Sequence, residues 1–317
     1  MTDTTFAALG LADPLLRALD ARGHATPTPI QAQAIPTLLD GGDLLGIAQT
    51  GTGKTAAFAL PILDFLIRNP PEKSEKRMPW ALILAPTREL AIQIGDEIDA
   101  YAKHVRVHQA VIFGGVSQNP QVAALKRGVD IVVATPGRLL DLMNQRMVDL
   151  REIECLVLDE ADRMLDMGFV RDVRKIVAAL PTDRQSLLFS ATMPDDIAKL
   201  AAEILDDPKR VEVTPASTPV ERIRQSVRHV AAADKGKLLA DILSDEDLSR
   251  VIVFTRTKHR ANRVAQHLER SGISAAAIHG NKSQGARQRA LEGFKAGNVR
   301  VLVATDIAAR GIDVEAV

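Results

Sequence analysis

Short continuous apolar runs recur along the chain, each followed by a polar or small-residue turn and then by apolar positions at helical spacing. Residues 43–48 (Asp-Leu-Leu-Gly-Ile-Ala) precede a helix starting near Thr55. Residues 81–85 precede a helix over 89–102, and 110–113 precede Gly114-Gly115. Residues 131–134 precede Thr135-Pro136-Gly137-Arg138 and another helix, 155–158 precede Asp159, and 185–189 precede Ser190-Ala191-Thr192. Runs without polar alternation read as strands buried on both faces, and their alternation with helices is βαβ rhythm. The pattern predicts an α/β fold with a mostly parallel sheet covered by helices. Residues 69–79, rich in Pro, Lys and Glu, read as an exposed loop.

The rhythm breaks where two prolines stand among small polar residues, so residues 214–220 are the best linker. It resumes with a strand at 251–254, a helix at 261–271, and a strand at 275–278 leading to His279-Gly280. A helix at 283–296 follows, then a strand at 301–304 leading to Thr305-Asp306. A first domain is expected over 1–213 and a second over 221–317, the latter truncated because its clear strands are fewer than a sheet ordinarily has.

The length of 317 residues suits about two domains. Lys plus Arg and Asp plus Glu balance at 40 each, but the halves differ. Before Pro215 there are 23 basic and 29 acidic residues, a net of −6; from Pro215 onward there are 17 and 11, a net of +6. A basic second half suits an anionic partner, although a solvated surface would show the same imbalance. The single cysteine, Cys155, excludes an intrachain disulfide framework and lies in an apolar run. No stretch is long and apolar enough to span a bilayer, and the first residues lack a signal peptide's basic and apolar regions. A soluble, cytoplasmic protein is expected. Aromatic residues make up only 3%, which argues against broad aromatic stacking of bases.

Two motifs carry the chemistry. Ala48-Gln49-Thr50-Gly51-Thr52-Gly53-Lys54-Thr55 lies between a strand and a helix start. Backbone N–H groups entering a helix N-terminus hold phosphate oxygens, and small residues let the backbone approach them. Lys54 is the expected point charge on the outer phosphates, Thr55 the hydroxyl for Mg²⁺, with Thr50, Gly51, Thr52 and Gly53 forming the cradle. Ala48 replaces the first Gly of the general pattern, and an ordinary Gly-rich turn is the plain alternative. The second motif is Asp159-Glu160-Ala161-Asp162, at the carboxyl end of a buried strand where open α/β sheets bind ligands. Asp159 can hold hydrated Mg²⁺, and Glu160 can orient or deprotonate an attacking water. Alone the cluster could be a solvated helix cap; with Lys54 it points to nucleoside triphosphate chemistry. ATP and Mg²⁺ are the expected cofactors.

In order along the chain, these motifs and others resemble a DEAD-box RNA helicase over nearly the whole length. Phe6 and the run Gly23 to Gln31 resemble the family's adenine-reading motif. Pro86-Thr87-Arg88-Glu89-Leu90-Ala91, Gly114-Gly115, Thr135 to Arg138 and Ser190-Ala191-Thr192 follow, then residues 251–257, 284–287 and 304–313. The run Ile278 to Arg287 is most similar to the RhlE-like bacterial branch. The resemblance implies two RecA-like domains, the second incomplete. It implies Gln31 and Phe6 on adenine and Asp313 on the ribose. Pro86, Thr87, Arg88, Gly115, Thr135 and Arg138 would hold the RNA backbone, joined by Arg256, Gln284, Arg287 and Thr305. Ser190 and Thr192 would couple to Asp162, linking nucleotide state to RNA grip. The implied activity is ATP-driven, local and sequence-nonspecific separation of short RNA duplexes by bending one strand. Ribosomal or RNA-decay partners are implied at family level. The family's last motif, a His-Arg-Ile-Gly-Arg-Thr-Gly-Arg-like segment with its arginine fingers, would lie beyond Val317. Its absence is the basis of one rival, a non-catalytic RNA-binding fragment; a second rival, a DNA-translocating motor with two such domains, is opposed by the Gln31 motif and by Asp159 to Asp162.

Overall fold

The computed structural model describes residues 5–70, 77–213, 224–245, 247–309, 314 and 317. The chain divides into two compact units, Met1–Ala216 and Ser217–Val317.

In the first unit, helices α1 (Asp13–Ala21) and α2 (Pro29–Leu39) lead into β1 (Leu44–Ile47) and α3 (Lys54–Arg68). Then come β2 (Ala81–Leu84), α4 (Arg88–Tyr101), β3 (Gln109–Ile112), α5 (Asn119–Arg127), β4 (Ile131–Ala134) and α6 (Pro136–Asn144). The remainder is β5 (Cys155–Leu158), α7 (Ala161–Asp166), α8 (Val170–Val177), β6 (Gln185–Ser190), α9 (Asp195–Ile204) and β7 (Lys209–Glu212). All seven described strands pair in parallel, in the order β3-β4-β2-β5-β6-β1-β7.

The apolar runs behave as strands with two buried faces. Ala81, Ile83, Ile131, Val133, Cys155 and Val157 belong to one core cluster, with α1 to α4. Their alternates Leu82, Leu84, Val132, Ala134, Leu156 and Leu158 belong to a second, with α6 to α9. Strand side chains point to opposite faces with period two, so one continuous apolar run supplies both layers. Strand β7 escapes sequence reading because its Lys-Arg-Val-Glu sequence lies at the sheet edge and buries only Val211. The exposed-loop reading of 69–79 needs correction at its end. Pro79 is buried, and Arg77 pairs with Asp130 at 2.6 Å.

The second unit contains α10 (Lys235–Ile242), β8 (Val251–Thr255), α11 (Lys258–Arg270), β9 (Ala275–Ile278), α12 (Gln284–Lys295), β10 (Val301–Thr305) and α13 (Asp306–Ala309). Its three described strands are parallel in the order β8-β10-β9. Val301 and Val303 pack with Ala261, Ala265 and Leu268 of α11. Leu302 and Ala304 pack on the other face with Ala290 and Phe294 of α12. Helix α11 begins before the expected residue 261 because Thr257 Oγ1 accepts from Arg260 N (3.3 Å), capping a polar first turn. The expected linker, 214–220, lies outside the described residues.

Candidate functional site

Apart from Phe6 and the run Gly23 to Gln31, which precede β1, each sequence motif of the first unit follows the carboxyl end of a strand, and strand order sorts them. The phosphate loop after β1, Ser190-Ala191-Thr192 at the end of β6 and the acid cluster after β5 sit on neighbouring strands. The loops after β3, β4 and β2 occupy the other half of the same edge. Parallel strands aim all these loops to one side, which is why residues far apart in sequence share one surface.

The loop between β1 and α3 turns on two glycines, Gly51 (φ 80°) and Gly53 (φ 90°). At Gly53 a Cβ would lie 2.4 Å from Gln31 Nε2, so both conformation and space demand glycine there. Lys54 opens α3 and is 6% exposed, and its Nζ donates to Ala48 O at 2.9 Å, across the loop. Thr52 Oγ1 donates to Gln49 O at 2.7 Å, while Thr55 is half-buried in the first turn of α3. Thr50 Oγ1 reaches Glu160 Oε1 at 3.4 Å, joining loop and acid cluster.

Gln31 is buried, with both ends of its amide engaged. Its Oε1 accepts from Thr28 N (2.9 Å) and its Nε2 donates to Gly53 O (3.0 Å). A Gln amide has two acceptor sites and two donor hydrogens, so each end keeps one for a base while bracing the phosphate loop. Thr28 and Gln31 form a capping box at the start of α2, which fixes the Gln31 side chain against the helix N-terminus. Phe6 packs into the core cluster with α1 and α2. Asp313 lies outside the described residues.

Asp159 is 2% exposed and accepts from Glu160 N at 2.9 Å. Burial pushes its carboxyl up to about 6, helped by Glu160 and Asp162 and opposed by Lys54. Glu160 takes the left-handed conformation (φ 52°, ψ 53°) at the start of α7. A non-glycine residue there is strained, and such strain collects where a side chain must be aimed. Its carboxylate pairs with Arg163. Arg163 was missed in the sequence, although an acid and an arginine three residues apart at a helix start are a readable signal.

Asp162 holds the end of β6. Its Oδ2 accepts from Thr192 N (2.9 Å) and Thr192 Oγ1 (2.8 Å). Its backbone N donates to Ser190 Oγ (3.2 Å), which donates to Thr192 O (2.7 Å). These bonds tie the acid cluster to the neighbouring loop.

On the other half, Pro86 and Thr87 are buried, and Thr87 caps α4 by accepting from Leu90 N at 3.2 Å. Gly115 has φ 80°, and a Cβ there would fall 2.2 Å from Arg88 Nη1, so the Arg88 guanidinium rests against the bare glycine. Arg138 donates to Val116 O through Nη1 and Nη2, each at 3.3 Å. Thr135 is buried at the start of α6. Helix N-termini with small capping residues thus alternate with two guanidinium groups, a surface suited to phosphates.

In the second unit Arg256 is exposed beyond β8, Gln284 is buried in the first turn of α12, Arg287 follows one turn later, and Thr305 ends β10. All four stand at or just beyond the carboxyl ends of β8, β9 and β10. His279, given no role from the sequence, is buried there with Nε2 3.0 Å from Asn262 Oδ1. Burial, then Lys282 and Lys258, hold its pKa below the ordinary value.

No group of three or more His, Cys, Asp or Glu side chains able to hold a metal occurs among the described residues. Asp159 and Thr55 nonetheless fit a hydrated Mg²⁺ that takes its other ligands from phosphates and water. No described helix is long and apolar enough to cross a membrane.

The profile for the DEAD/DEAH box helicase matches residues 28–200, and that for the helicase conserved C-terminal domain matches 234–317. The ATP-dependent RNA helicase DeaD of Klebsiella pneumoniae is 46% identical over 314 residues, covering 99% of this chain and 48% of DeaD. The DEAD-box ATP-dependent RNA helicase CshA of Bacillus cereus is 43% identical, covering 99% of this chain and 59% of CshA. The chain thus spans about half the length of the curated relatives it matches. Among solved structures, S. cerevisiae Dbp5 bound to RNA and ADP BeF3 superposes with a TM-score of 0.84 at 33% identity, covering 98% of this chain and 78% of that one. A DEAD box protein from Methanococcus jannaschii is 38% identical, with a TM-score of 0.61 and coverages of 98% and 82%.

Proposed function

Because the chain belongs to the DEAD/DEAH box helicase family, we propose that it is the engine of an ATP-dependent RNA helicase, acting on single strands and short duplexes without regard to sequence. The observation that carries this reading is the bond set from Asp162 to Ser190 and Thr192. It joins the acid cluster to the end of the strand lying between the acid cluster and the phosphate loop. A change at the nucleotide thereby acts on the motif-bearing edge through packed, hydrogen-bonded parts.

The roles are those of the family pattern, and the placement of the described residues supports them. Lys54, Thr50, Gly51, Thr52, Gly53 and Thr55 cradle the phosphates, and Gln31 with Phe6 receives adenine. Asp313 is assigned to the ribose by family pattern. Thr55 and Asp159 are the side chains that would hold Mg²⁺, which when bound supplies charge neutralisation at the phosphates. Glu160, aimed by its strained backbone and by Arg163, orients the attacking water and takes its proton. Pro86, Thr87, Arg88, Gly115, Thr135 and Arg138 hold the RNA backbone from the first unit; Arg256, Gln284, Arg287 and Thr305 do so from the second. Backbone contacts carry no sequence information, so ribosomal or RNA-decay targets require other recognition. We assign residues 1–213 and 221–317 to the two helicase domains and the cytoplasm as the site of action. The run Ile278 to Arg287 supports the RhlE-like branch.

A second reading is a fragment that binds ATP and RNA but hydrolyses slowly unless joined to the family's His-Arg-Ile-Gly-Arg-Thr-Gly-Arg-like segment, whose arginine finger is worth about 10³–10⁵ in rate in related phosphate-loop enzymes. ATP hydrolysis measured with and without single-stranded RNA, on this chain and on one extended through that segment, separates the readings. Stimulation confined to the extended chain is expected. Stimulation by DNA as strong as by RNA would favour a DNA motor and sink the RNA assignment. Lys54→Ala is expected to abolish nucleotide binding, and tight ATP binding by that variant would contradict the role of Lys54.

A further inference from the structure

At the amino-terminal edge of the first sheet, opposite the motif-bearing edge, lies a cavity of about 440 Å³. Its walls include Met78 and Pro79 on the approach to β2, Lys126 in the last turn of α5, and Arg146 and Met147 just beyond α6. Arg77 and Arg151 also line it, so four cations and one carboxylate, Asp149, surround the cavity in a domain whose net charge is negative.

Two of the four are anchored. Arg77 pairs with buried Asp130 at 2.6 Å, and it packs so close to Gly128 that a Cβ there would lie 2.8 Å from Arg77 Cβ and 3.0 Å from Arg77 O. Arg151 pairs with Asp149 through Nε (2.9 Å) and Nη2 (2.6 Å). The other two, Lys126 and Arg146, are exposed and have no carboxylate within ion-pair distance among the described residues.

The backbone at Arg146 is the independent observation. Helix α6 ends in a Schellman turn: Arg146 N donates to Met143 O and Met147 N to Leu142 O, each at 2.9 Å. The left-handed position in that turn ordinarily takes glycine, yet here it holds Arg146 at φ 55°. Helix-dipole complementarity accounts for Lys126 in the last turn of α5, but not for an arginine in a strained position beyond a helix end. An arginine at this position puts a cation beside the cavity where glycine would put none.

We propose that this cavity is a second phosphate-binding site, which takes a phosphodiester of an RNA strand leaving the motif-bearing edge. The chemistry is that of a phosphate on a nucleotide-sized body, with Met78, Pro79 and Met147 against the base or sugar. Two unshared cations match a singly charged phosphodiester better than a triphosphate. The nearby helix ends present carbonyls, so the contacts are made by side chains rather than by backbone N–H groups. The RNA assignment rests on the function proposed above.

The test is equilibrium binding of labelled short and long single-stranded RNAs, and of uridine monophosphate, to the full chain and to a Lys126→Ala/Arg146→Gly variant. The long RNA should bind the variant about tenfold more weakly, with a salt slope shallower by about 1.4 for two lost contacts. The short RNA should be unaffected, and so should long-RNA binding by Lys103→Ala, which removes an exposed cation elsewhere. Arg146→Gly should leave the melting temperature unchanged or higher, separating a lost contact from a lost fold. Unchanged long-RNA binding by the double variant overturns the proposal. Loss of uridine monophosphate binding with long RNA unaffected overturns the RNA source in favour of a free nucleotide. Short-RNA binding and its loss in Arg88→Ala report on the motif-bearing edge alone, so failure there is distinguishable from failure here.

Discussion

Asp159 is the residue at which function and stability pull apart. Its carboxyl is pushed up to about 6 by burial, above the ordinary 3.8. The folded state therefore holds a proton that the unfolded chain has released between those pH values, and stability falls as pH rises through that window. Above it the ionised carboxylate costs about 3 kcal/mol, as about two units at 1.36 each, part of which Asn would not recover because Lys54 loses a counter-charge. Asp159→Asn is expected to stabilise the chain by about 1–3 kcal/mol at pH 8. The gain should vanish near pH 4 as ATP hydrolysis is lost throughout. Chemical denaturation at both pH values checks this, and an equal effect at both would show that the titration is not the cause. Thr192 gives a second residue-scale expectation, because it satisfies Asp162 Oδ2 twice. Thr192→Val removes the hydroxyl and leaves the backbone bond. In the chain extended through the arginine-finger segment, ATP affinity should persist while RNA stimulation of hydrolysis drops, and loss of both together would point to simple unfolding. The chemical identity of these residues was legible in the sequence; the raised carboxyl of Asp159 and the left-handed backbone of Glu160 were not, since both come from what surrounds them.

At the scale of elements, β1 must lie close enough to β6 to bring the phosphate loop beside Ser190. Gly46 makes that approach possible: a Cβ there would fall 2.5 Å from Phe189 Cδ1, and Phe189 in turn packs on Phe58 of α3 with centroids 5.6 Å apart. Gly46→Ala should destabilise the first unit by about 1–3 kcal/mol through overpacking. A thermal melt reads the loss, and nucleotide affinity should weaken in parallel as α3 shifts. A variant as stable as the parent would show that the ring can move aside. Most strands and helices here were legible because continuous apolar runs and capping residues such as Thr87 mark them directly. Strand β7 was not, because an edge strand with one buried residue has no apolar run. The start of α11 was misplaced because its first turn is polar and is held by a cap instead of a core face.

For the whole molecule, charge is the property that reaches beyond single contacts. The four arginines assigned to RNA, Arg88, Arg138, Arg256 and Arg287, imply that the logarithm of affinity falls against that of salt with a slope of about −3 for single strands. Titrations over a range of salt concentrations measure it, and a slope near zero would remove the phosphate contacts from the account. Seen at this scale, the sequence determined the chemistry and the class of fold. Phosphate loop, acid cluster and apolar run each depend on neighbours within a few residues, and local spacing is what a linear chain records. Strand order, by contrast, is a choice among pairings that equally apolar strands allow, and only tertiary packing made it. That choice set β6 between β1 and β5, so Asp162, Ser190 and Thr192 meet. It also gathered Arg77, Lys126, Arg146 and Arg151 around one cavity on the opposite edge, from loops that share no motif and touch only because their strands and helices pack.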